Sequence, residues 1–385
     1  MSSMIKKIAS IFHRFIWHAK YPVHASQRLW TMLDYFSLHR SKGITRSEYL
    51  DFEFERQTDV FRKSFLGLYE QQYYLDVLNP VRYFSLARNK YLTHRVLEHT
   101  GVRKAILYCY YQPTSMICQS DEIASTFQDV FRILTLKKVS SCVIKTTESS
   151  HGDNVIVIKA LEYLPDDIVL RKFDGTAIML SEILSNNPLI FESIIQQTEQ
   201  FKQFNASSVN TVRFMTTLYP DNQARIIAVW FKVGRNGNCV DNAGSGGNVD
   251  AAVDIESGKI YNVVQFDGYR KRKKIDYHPD SGAQLENCFI DNWEQIKAEV
   301  IRFQQAFPYC KAAGWDIAIT DDGPVVVEIN DFWDRTGQLF IGKGWREEIR
   351  DCYMAWKSTG VDYTIYRQFP NMSRKRLNHI IQKEF

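Results

Sequence analysis

No stretch of the chain approaches the roughly 18 uninterrupted apolar residues of a spanning helix, so none is expected. No Cys-x-x-Cys pair occurs. The seven cysteines (Cys109, Cys118, Cys142, Cys239, Cys288, Cys310 and Cys352) are odd in number and scattered. That argues against a disulfide frame or a zinc knuckle, and for reduced thiols in a cytoplasmic protein. Only 10 prolines and 19 glycines stand among 385 residues, which excludes a collagenous or low-complexity polymer. No internal repeat and no long Gly/Ser linker is visible. Near the N-terminus His13, Arg14 and His18 break the apolar run of residues 8–20, where a secretory segment would be cleaner. Charge of one sign is also lacking: the net charge is +4, so a chain-wide nucleic-acid-binding field is not supported and no nucleic-acid partner is expected.

What is present is an ordinary soluble composition, 45% apolar and 24% charged, long enough for two or three structural units. Charge is uneven. Residues 1–50 hold eight Lys/Arg against Asp34 and Glu48, which makes a basic N-terminal arm. In Met4–Lys20 the residues Ile5, Ile8, Phe12, Phe15 and Ile16 recur at helical spacing among Lys6, Lys7 and Arg14. Such a stripe can lie on an anionic membrane, a peripheral contact at the inner face, or pack on the protein itself. The basic end Arg374–Arg376 leaves the same two readings open.

Residues 1–100 read as helical. Ala25–His39 is one helix, Thr45-Arg-Ser-Glu48 has capping-box spacing before another, and Lys90–His99 ends at Gly101. Beyond Val102 strands are expected at Ala105–Tyr111, Cys142–Lys145, Val155–Ile158 and Pro188–Ser193, with helices at Asp121–Leu134 and Ile194–Phe204. From Val212 strands dominate: Arg213–Leu218, Arg225–Gly234 with an Asn236-Gly237 turn signal, Asn248–Ile255 with Lys259–Phe266, and Trp315–Thr320 with Pro324–Asn330. Trp293–Phe307 is amphipathic. The class is α+β with mostly antiparallel strands in the second half.

The most informative segment is Gly314–Asn330. Asp321-Asp322-Gly323 suits a three-residue hairpin loop, with Pro324 at a strand start. Thr320 then faces Pro324, and counting outward sets Asp316 opposite Glu328. Alternation places Asn330 on the face of Glu328, with Val325, Val327 and Ile329 pointing away. Two carboxylates and a carboxamide, with no His or Cys, suit Mg²⁺, a cation that keeps waters and shares phosphate oxygens. A solvated sheet face is the bland alternative.

A phosphate site would accompany that metal. Lys145 ends an apolar strand and precedes Thr146–Gly152, where Ser149, Ser150 and Gly152 can offer N–H groups to phosphate oxygens; a plain hairpin with a surface lysine is as good a reading. Glu192 ends the next apolar strand, at whose edge a nucleotide base could bind. Arg270–Lys274 is a run of five cations; a solvated loop is the expected reading, and contact with an anionic sugar or sugar-phosphate acceptor is the sharper alternative. His278 reads as a loop hydrogen-bonding group; His151 lies in the presumed phosphate loop.

The order of these pieces resembles the ATP-grasp superfamily, and most closely its sugar-transfer-associated proteins. The likeness rests on Lys145 and its loop, Glu192, Ser208-Val-Asn-Thr-Val-Arg213, Val240-Asp-Asn242 with Gly246-Gly247, His278-Pro-Asp-Ser-Gly282, Gly314-Trp-Asp316 and Gly323–Asn330. It covers about residues 85–345. It implies two α+β subdomains clasping ATP: residues 86–190 with the lysine and loop, and residues 191–345 with the metal ligands. A helical region, 1–85, precedes them and a helical tail, 346–385, follows. It implies that Lys145 and Lys90 hold phosphates, that Glu192 and the backbone near Ile195 meet adenine, and that Glu199, in competition with Gln197, meets the ribose. Asp316, Glu328 and Asn330 would bind Mg²⁺, and Arg213 would face the γ-phosphate or an acyl phosphate. The implied activity is ATP-dependent carboxylate–amine ligation, plausible substrates being an amino acid or amine and a uronic-acid sugar or other glycan precursor. A kinase acting on a sugar hydroxyl and a nucleotide-binding scaffold of a glycan assembly complex are the alternatives. The chain departs from the usual pattern twice: residues 1–85 lack the pre-grasp βαβ domain, and Asp331-Phe-Trp-Asp-Arg-Thr-Gly337 stands where relatives have Pro-Gly.

Overall fold

The computed structural model describes residues 25–114, 121–148, 155–235, 247–266 and 272–360. The arm Met4–Lys20, the loop residues Ser149, Ser150, His151 and Gly152, the turn at Asn236-Gly237, Asp241-Asn242, Gly246, Arg270 and Arg374–Arg376 lie outside them.

Two seven-stranded sheets form the body. The first contains β1 (Leu107–Tyr111), β2 (Ile123–Ala124), β3 (Cys142–Thr146), β4 (Ile156–Tyr163), β5 (Ile168–Lys172), β6 (Ala177–Met179) and β7 (Leu189–Glu192) in the order β2-β1-β7-β3-β4-β5-β6. Only β1 and β2 pair in parallel. The second contains β8 (Thr211–Leu218), β9 (Ala224–Val233), β10 (Val249–Val253), β11 (Ile260–Phe266), β12 (Arg272–Lys274), β13 (Ala312–Thr320) and β14 (Gly323–Asn330) in the order β12-β11-β10-β9-β8-β13-β14, antiparallel throughout. The expected α+β class holds.

The second sheet is buried on both faces, and the two-residue period of its strands sorts the side chains. Val212, Phe214, Val229, Phe231, Ala251, Trp315 and Ile317 meet the helix Trp293–Ala306. Met215, Ala228, Trp230 and Ala312 point the other way, onto the helices Leu68–Leu78 and Arg346–Ser358 and onto Trp333 and Trp345. Arg213, Lys232 and Asp316 share this second face by alternation. The first sheet packs one side on the helix Phe127–Leu136.

Local signals succeed where side chains cap backbone. Thr45 and Glu48 form the expected capping box, and Ala25–Lys42 is helical. Two helices differ from expectation. Residues 121–134 do not start a helix at Asp121: Ile123-Ala124 pairs with β1, and the helix begins only after Thr126, which shares a capping box with Asp129. In residues 194–204 only Glu199–Lys202 is helical, because the Thr198 N–H bonds Ile319 O and draws the preceding residues across to the second sheet. The cationic run is not wholly a loop either: Arg272–Lys274 is an edge strand, and Arg272 pairs with Glu53.

The hairpin β13–β14 needs one correction. Thr320 pairs with Gly323, not Pro324, closing a tighter turn in which Gly323 has φ +114°. A bulge between Ile317 and Asp316 absorbs Val327, and Asp316 then faces Glu328 as expected. In consequence the core side of β14 is Pro324, Val326 and Ile329, while Val327 turns to the space between the sheets.

Candidate nucleotide and metal site

A cavity of about 270 Å³ lies between the two sheets. Val143, Val157 and Phe173 line it from the first sheet and its neighbouring loop, and Val327 from the second. Its polar wall is Lys90, Lys145, Glu192, Lys232, Asp316 and Glu328. The segment Ser193–Gln197 runs along it, so Ile195 lines the cavity as well. An apolar slot that ends in cations and carboxylates is suited to a nucleotide: a flat base between aliphatic walls and phosphates among lysines.

Lys90 and Lys145 are neighbours for a local reason. Asn89 caps the helix Lys90–Leu97 by accepting from the Leu92 N–H. The Lys90 N–H donates to Thr147 O at 3.0 Å, which ties the start of that helix to the end of β3. One turn on, His94 lies on the same helix face. Its Nε2 donates to Glu192 Oε1 at 2.5 Å, and Lys145 Nζ holds Glu192 Oε2 at 2.7 Å. Burial acts to raise the Glu192 pKa, but Lys145 and His94 prevail and bring it down to about 2. Both carboxylate oxygens are thus engaged, and Glu192 is built to hold Lys145 rather than to accept from a base. Lys90 Nζ lies 3.8 Å from Glu328 Oε1; burial lowers its pKa, which Glu328 partly offsets.

On the second sheet, Arg213 Nε and Nη2 donate to Asp316 Oδ1 and Oδ2 at 2.5 and 2.6 Å. Lys232 Nζ adds a contact of 3.1 Å to Oδ1. Burial would raise the Asp316 pKa, yet Arg213 and Lys232 outweigh it and set it at about 2. Gly314 makes this clasp fit. A Cβ there would come within 3.0 Å of Trp333, 3.2 Å of Met215 Sδ and 3.4 Å of Arg213 Nη1.

The expected residues are therefore gathered unequally. Lys90, Lys145, Glu192, Ile195, Asp316 and Glu328 line one cavity. Arg213 is not among its lining residues and reaches it through Asp316; Asn330 donates weakly to Gly314 O at 3.4 Å, two register positions from the Asp316–Glu328 pair. Glu199 does not line the cavity: its side chain is 85% exposed and pairs with Lys202, which does. Gln197 lines it, but its amide is pinned to Asn205 O and Ser208 O, and its oxygen accepts from Asn210. Asn210, fully buried, also accepts from the Gly234 N–H, so the segment Ser208–Arg213 owes its middle to this knot. His278 is a loop residue as expected, with Nε2 donating to Gly234 O at 3.0 Å. Burial lowers its pKa.

Sequence reasoning missed Lys232 and His94. Each left a trace: a lone cation in the apolar run of β9, and a histidine four residues after Lys90. For a divalent cation, Asp316, Glu328 and Asn330 supply oxygen donors only, and both Asp316 oxygens are already engaged by Arg213 and Lys232, so a cation there would share them. Among the described residues no three His, Cys, Asp or Glu side chains gather as a closed metal cage. A partial oxygen shell fits Mg²⁺, which is held by one or two carboxylates together with phosphates and waters.

Among solved structures, the chain is similar to the D-Ala:D-Ser ligase VanG from Enterococcus faecalis (TM-score 0.42, 10% identity, 71% of this chain and 62% of that one). It is also similar to biotin carboxylase from Campylobacter jejuni (0.43, 9%, 76% and 53%). A third likeness is to phosphoribosylamine–glycine ligase from Thermotoga maritima (0.42, 13%, 74% and 58%). The chain spans between 53% and 62% of the length of these proteins. No curated protein matches it. A family profile described as sugar-transfer associated ATP-grasp matches residues 69–352. That stretch contains both sheets and the whole polar wall of the cavity, and the chain belongs to the sugar-transfer associated ATP-grasp family.

Proposed function

We propose that the chain is an ATP- and Mg²⁺-dependent carboxylate–amine ligase that forms an amide through an acyl phosphate. The observation that carries the proposal is the single cavity in which Lys90, Lys145 and Lys232 stand with Asp316 and Glu328. Phosphoryl transfer asks little covalent chemistry of a protein. It asks for in-line positioning and for neutral surroundings as charge moves. In this reading residues 86–190 bring Lys145, and residues 191–345 bring the metal ligands. Lys90 and Lys145 bind the phosphates, Glu192 and His94 fix Lys145, and the backbone near Ile195 meets adenine. Asp316, Glu328 and Asn330 would hold Mg²⁺, which would supply neutralisation of phosphate charge. Arg213 and Lys232 steady Asp316, and Lys232, which lines the cavity, carries positive charge beside the transferred phosphoryl group.

For substrates, the reading is an amino acid or amine and a uronic-acid sugar or surface-polysaccharide precursor. Its support is the family's association with sugar transfer. Purified protein with ATP, Mg²⁺ and panels of uronic acids and amines tests it, with ADP and amide product followed by mass spectrometry. ADP release that requires both a carboxylate and an amine is expected. ADP release with a sugar alcohol alone, yielding a phosphorylated sugar, makes the chain a kinase instead. Full function after Asp316→Ala and Glu328→Ala makes it a scaffold.

A further inference from the structure

His278 does not line the cavity, yet it is buried and hydrogen-bonded through both ring nitrogens. Its loop closes on itself: the His278 N–H donates to Ala283 O at 2.8 Å, and the Gly282 N–H donates to His278 O at 2.9 Å. Nε2 donates to Gly234 O at 3.0 Å. Nδ1 accepts weakly from the Asp280 and Ser281 N–H groups at 3.4 and 3.3 Å. A single neutral tautomer satisfies both sides, because a carbonyl only accepts and an N–H only donates. Beside the ring, Asp280 accepts from Arg235 Nε and Nη2 at 2.6 and 2.7 Å. One loop therefore holds two consecutive residues, Gly234 and Arg235, just beyond the end of β9.

Gly234 connects that loop to the cavity. Its N–H donates to Asn210 Oδ1 at 3.2 Å. The Asn210 N–H and Nδ2 both donate to Gln197 Oε1 at 3.0 Å, and Gln197 Nε2 donates to Asn205 O and Ser208 O. Gln197, Ser207 and Ser208 line the cavity. Gly234 fits tightly against this group: a Cβ there would stand 2.2 Å from Ser208 Oγ and 2.8 Å from Asn205 Nδ2. The segment Ser193–Gln197 is thus held at both ends. The Ser193 N–H donates to Ile106 O at 2.9 Å, and Asn210 sets Gln197. A buried polar network closed by hydrogen bonds is stiff, so a displacement at one member is felt at the next. We propose that His278 is a positioning residue for base recognition: acting through Gly234 and Asn210, it sets Gln197 and so the backbone edge of Ser193–Gln197 that meets the base. The inference rests on the assignment of the cavity to a nucleotide.

Calorimetric titration of the full chain with nonhydrolysable ATP and GTP analogues tests it. Wild type should prefer the adenine nucleotide. His278→Leu, which loses both ring contacts, should bind the ATP analogue about three- to tenfold more weakly. The GTP analogue should lose less, so the preference narrows. His278→Gln, which keeps an N–H for Gly234 O, should restore most of the preference. If His278→Leu melts below the assay temperature, Ser281→Ala carries the test. It removes only the hydroxyl that meets Nδ1 at 3.3 Å and should narrow the preference by a smaller amount. Unchanged affinity and preference in the variants overturns the inference and leaves the nucleotide site standing. So does an equal loss of both analogues, the mark of a purely structural role, or a wild type that binds both equally well. No binding of either analogue by wild type overturns the nucleotide site and the inference together.

Discussion

Lys145 Nζ stands 2.7 Å from Glu192 Oε2, and the other oxygen of that carboxylate is held by His94. The lysine from one strand is thus aimed by a carboxylate from the next but anchored by a histidine on a helix. Loss of a hydrogen bond to a charged group costs about 1.5–3 kcal/mol. His94→Leu should therefore weaken binding of a nonhydrolysable ATP analogue by about tenfold or more. His94→Gln, which keeps an N–H donor, should weaken it less. Calorimetric titration measures both, and a thermal melt separates loss of affinity from loss of fold. Unchanged affinity in His94→Leu would remove the histidine from the account.

The depressed pKa of Glu192 sets a pH window. Its folded value is about 2, below its ordinary carboxylate value, so the folded state binds the proton less readily than the unfolded one. The stability it contributes is present at neutral pH and is lost as pH falls from about 4.5 toward 2. Thermal midpoints should be level between about pH 7 and 5.5 and decline below that. Glu192→Gln should lower the midpoint at neutral pH and flatten the acid decline.

The two proposed metal carboxylates should behave differently when neutralised. Asp316 is buried between Arg213 and Lys232, and breaking a buried ion pair from one side costs about 3–5 kcal/mol. Glu328 is 33% exposed and has Lys90 only at 3.8 Å. Asp316→Asn should reduce unfolding free energy in urea by several kcal/mol, whereas Glu328→Gln should change it by less than about 1 kcal/mol. Both should abolish Mg²⁺-dependent ATP turnover. Equal stability of the two variants would contradict the geometry.

Gly314 offers a packing test. A methyl group there would press on Trp333, Met215 and Arg213 at once. Gly314→Ala should cost about 1–3 kcal/mol of stability through overpacking. Activity should fall further than the small volume suggests, because Arg213 is displaced from Asp316. A urea titration paired with a turnover assay checks both.

Much of the fold was legible because its signals are local. The capping box at Thr45 needs only its own residues, and the apolar runs that mark β8 and β9 are a property of each strand. The pairing of Asp316 with Glu328 was reached from a turn one residue too long, and a bulge at Val327 restored it. Bulges answer to packing on both faces of a sheet, which a count along the chain does not contain. The segment after Glu192 departs from the helix its own residues predict for a similar reason: its Thr198 N–H is claimed by Ile319, 121 positions away. Lysines 90 and 145 could be named from pattern and resemblance. That His94 and Glu192 bind each other depends on a helix docking against a strand, and that Lys232 shares Asp316 with Arg213 depends on three strands lying side by side.

The central claim is that Lys90 and Lys145 grip the phosphates of a nucleotide in the cavity between the sheets. Titration of wild type, Lys90→Met and Lys145→Met with a nonhydrolysable ATP analogue, with and without Mg²⁺, tests it directly. The account predicts one site per chain in wild type, tightened by Mg²⁺, and affinity at least about tenfold weaker in each variant with the fold intact. Equal affinity in all three proteins, or none in wild type, would contradict it.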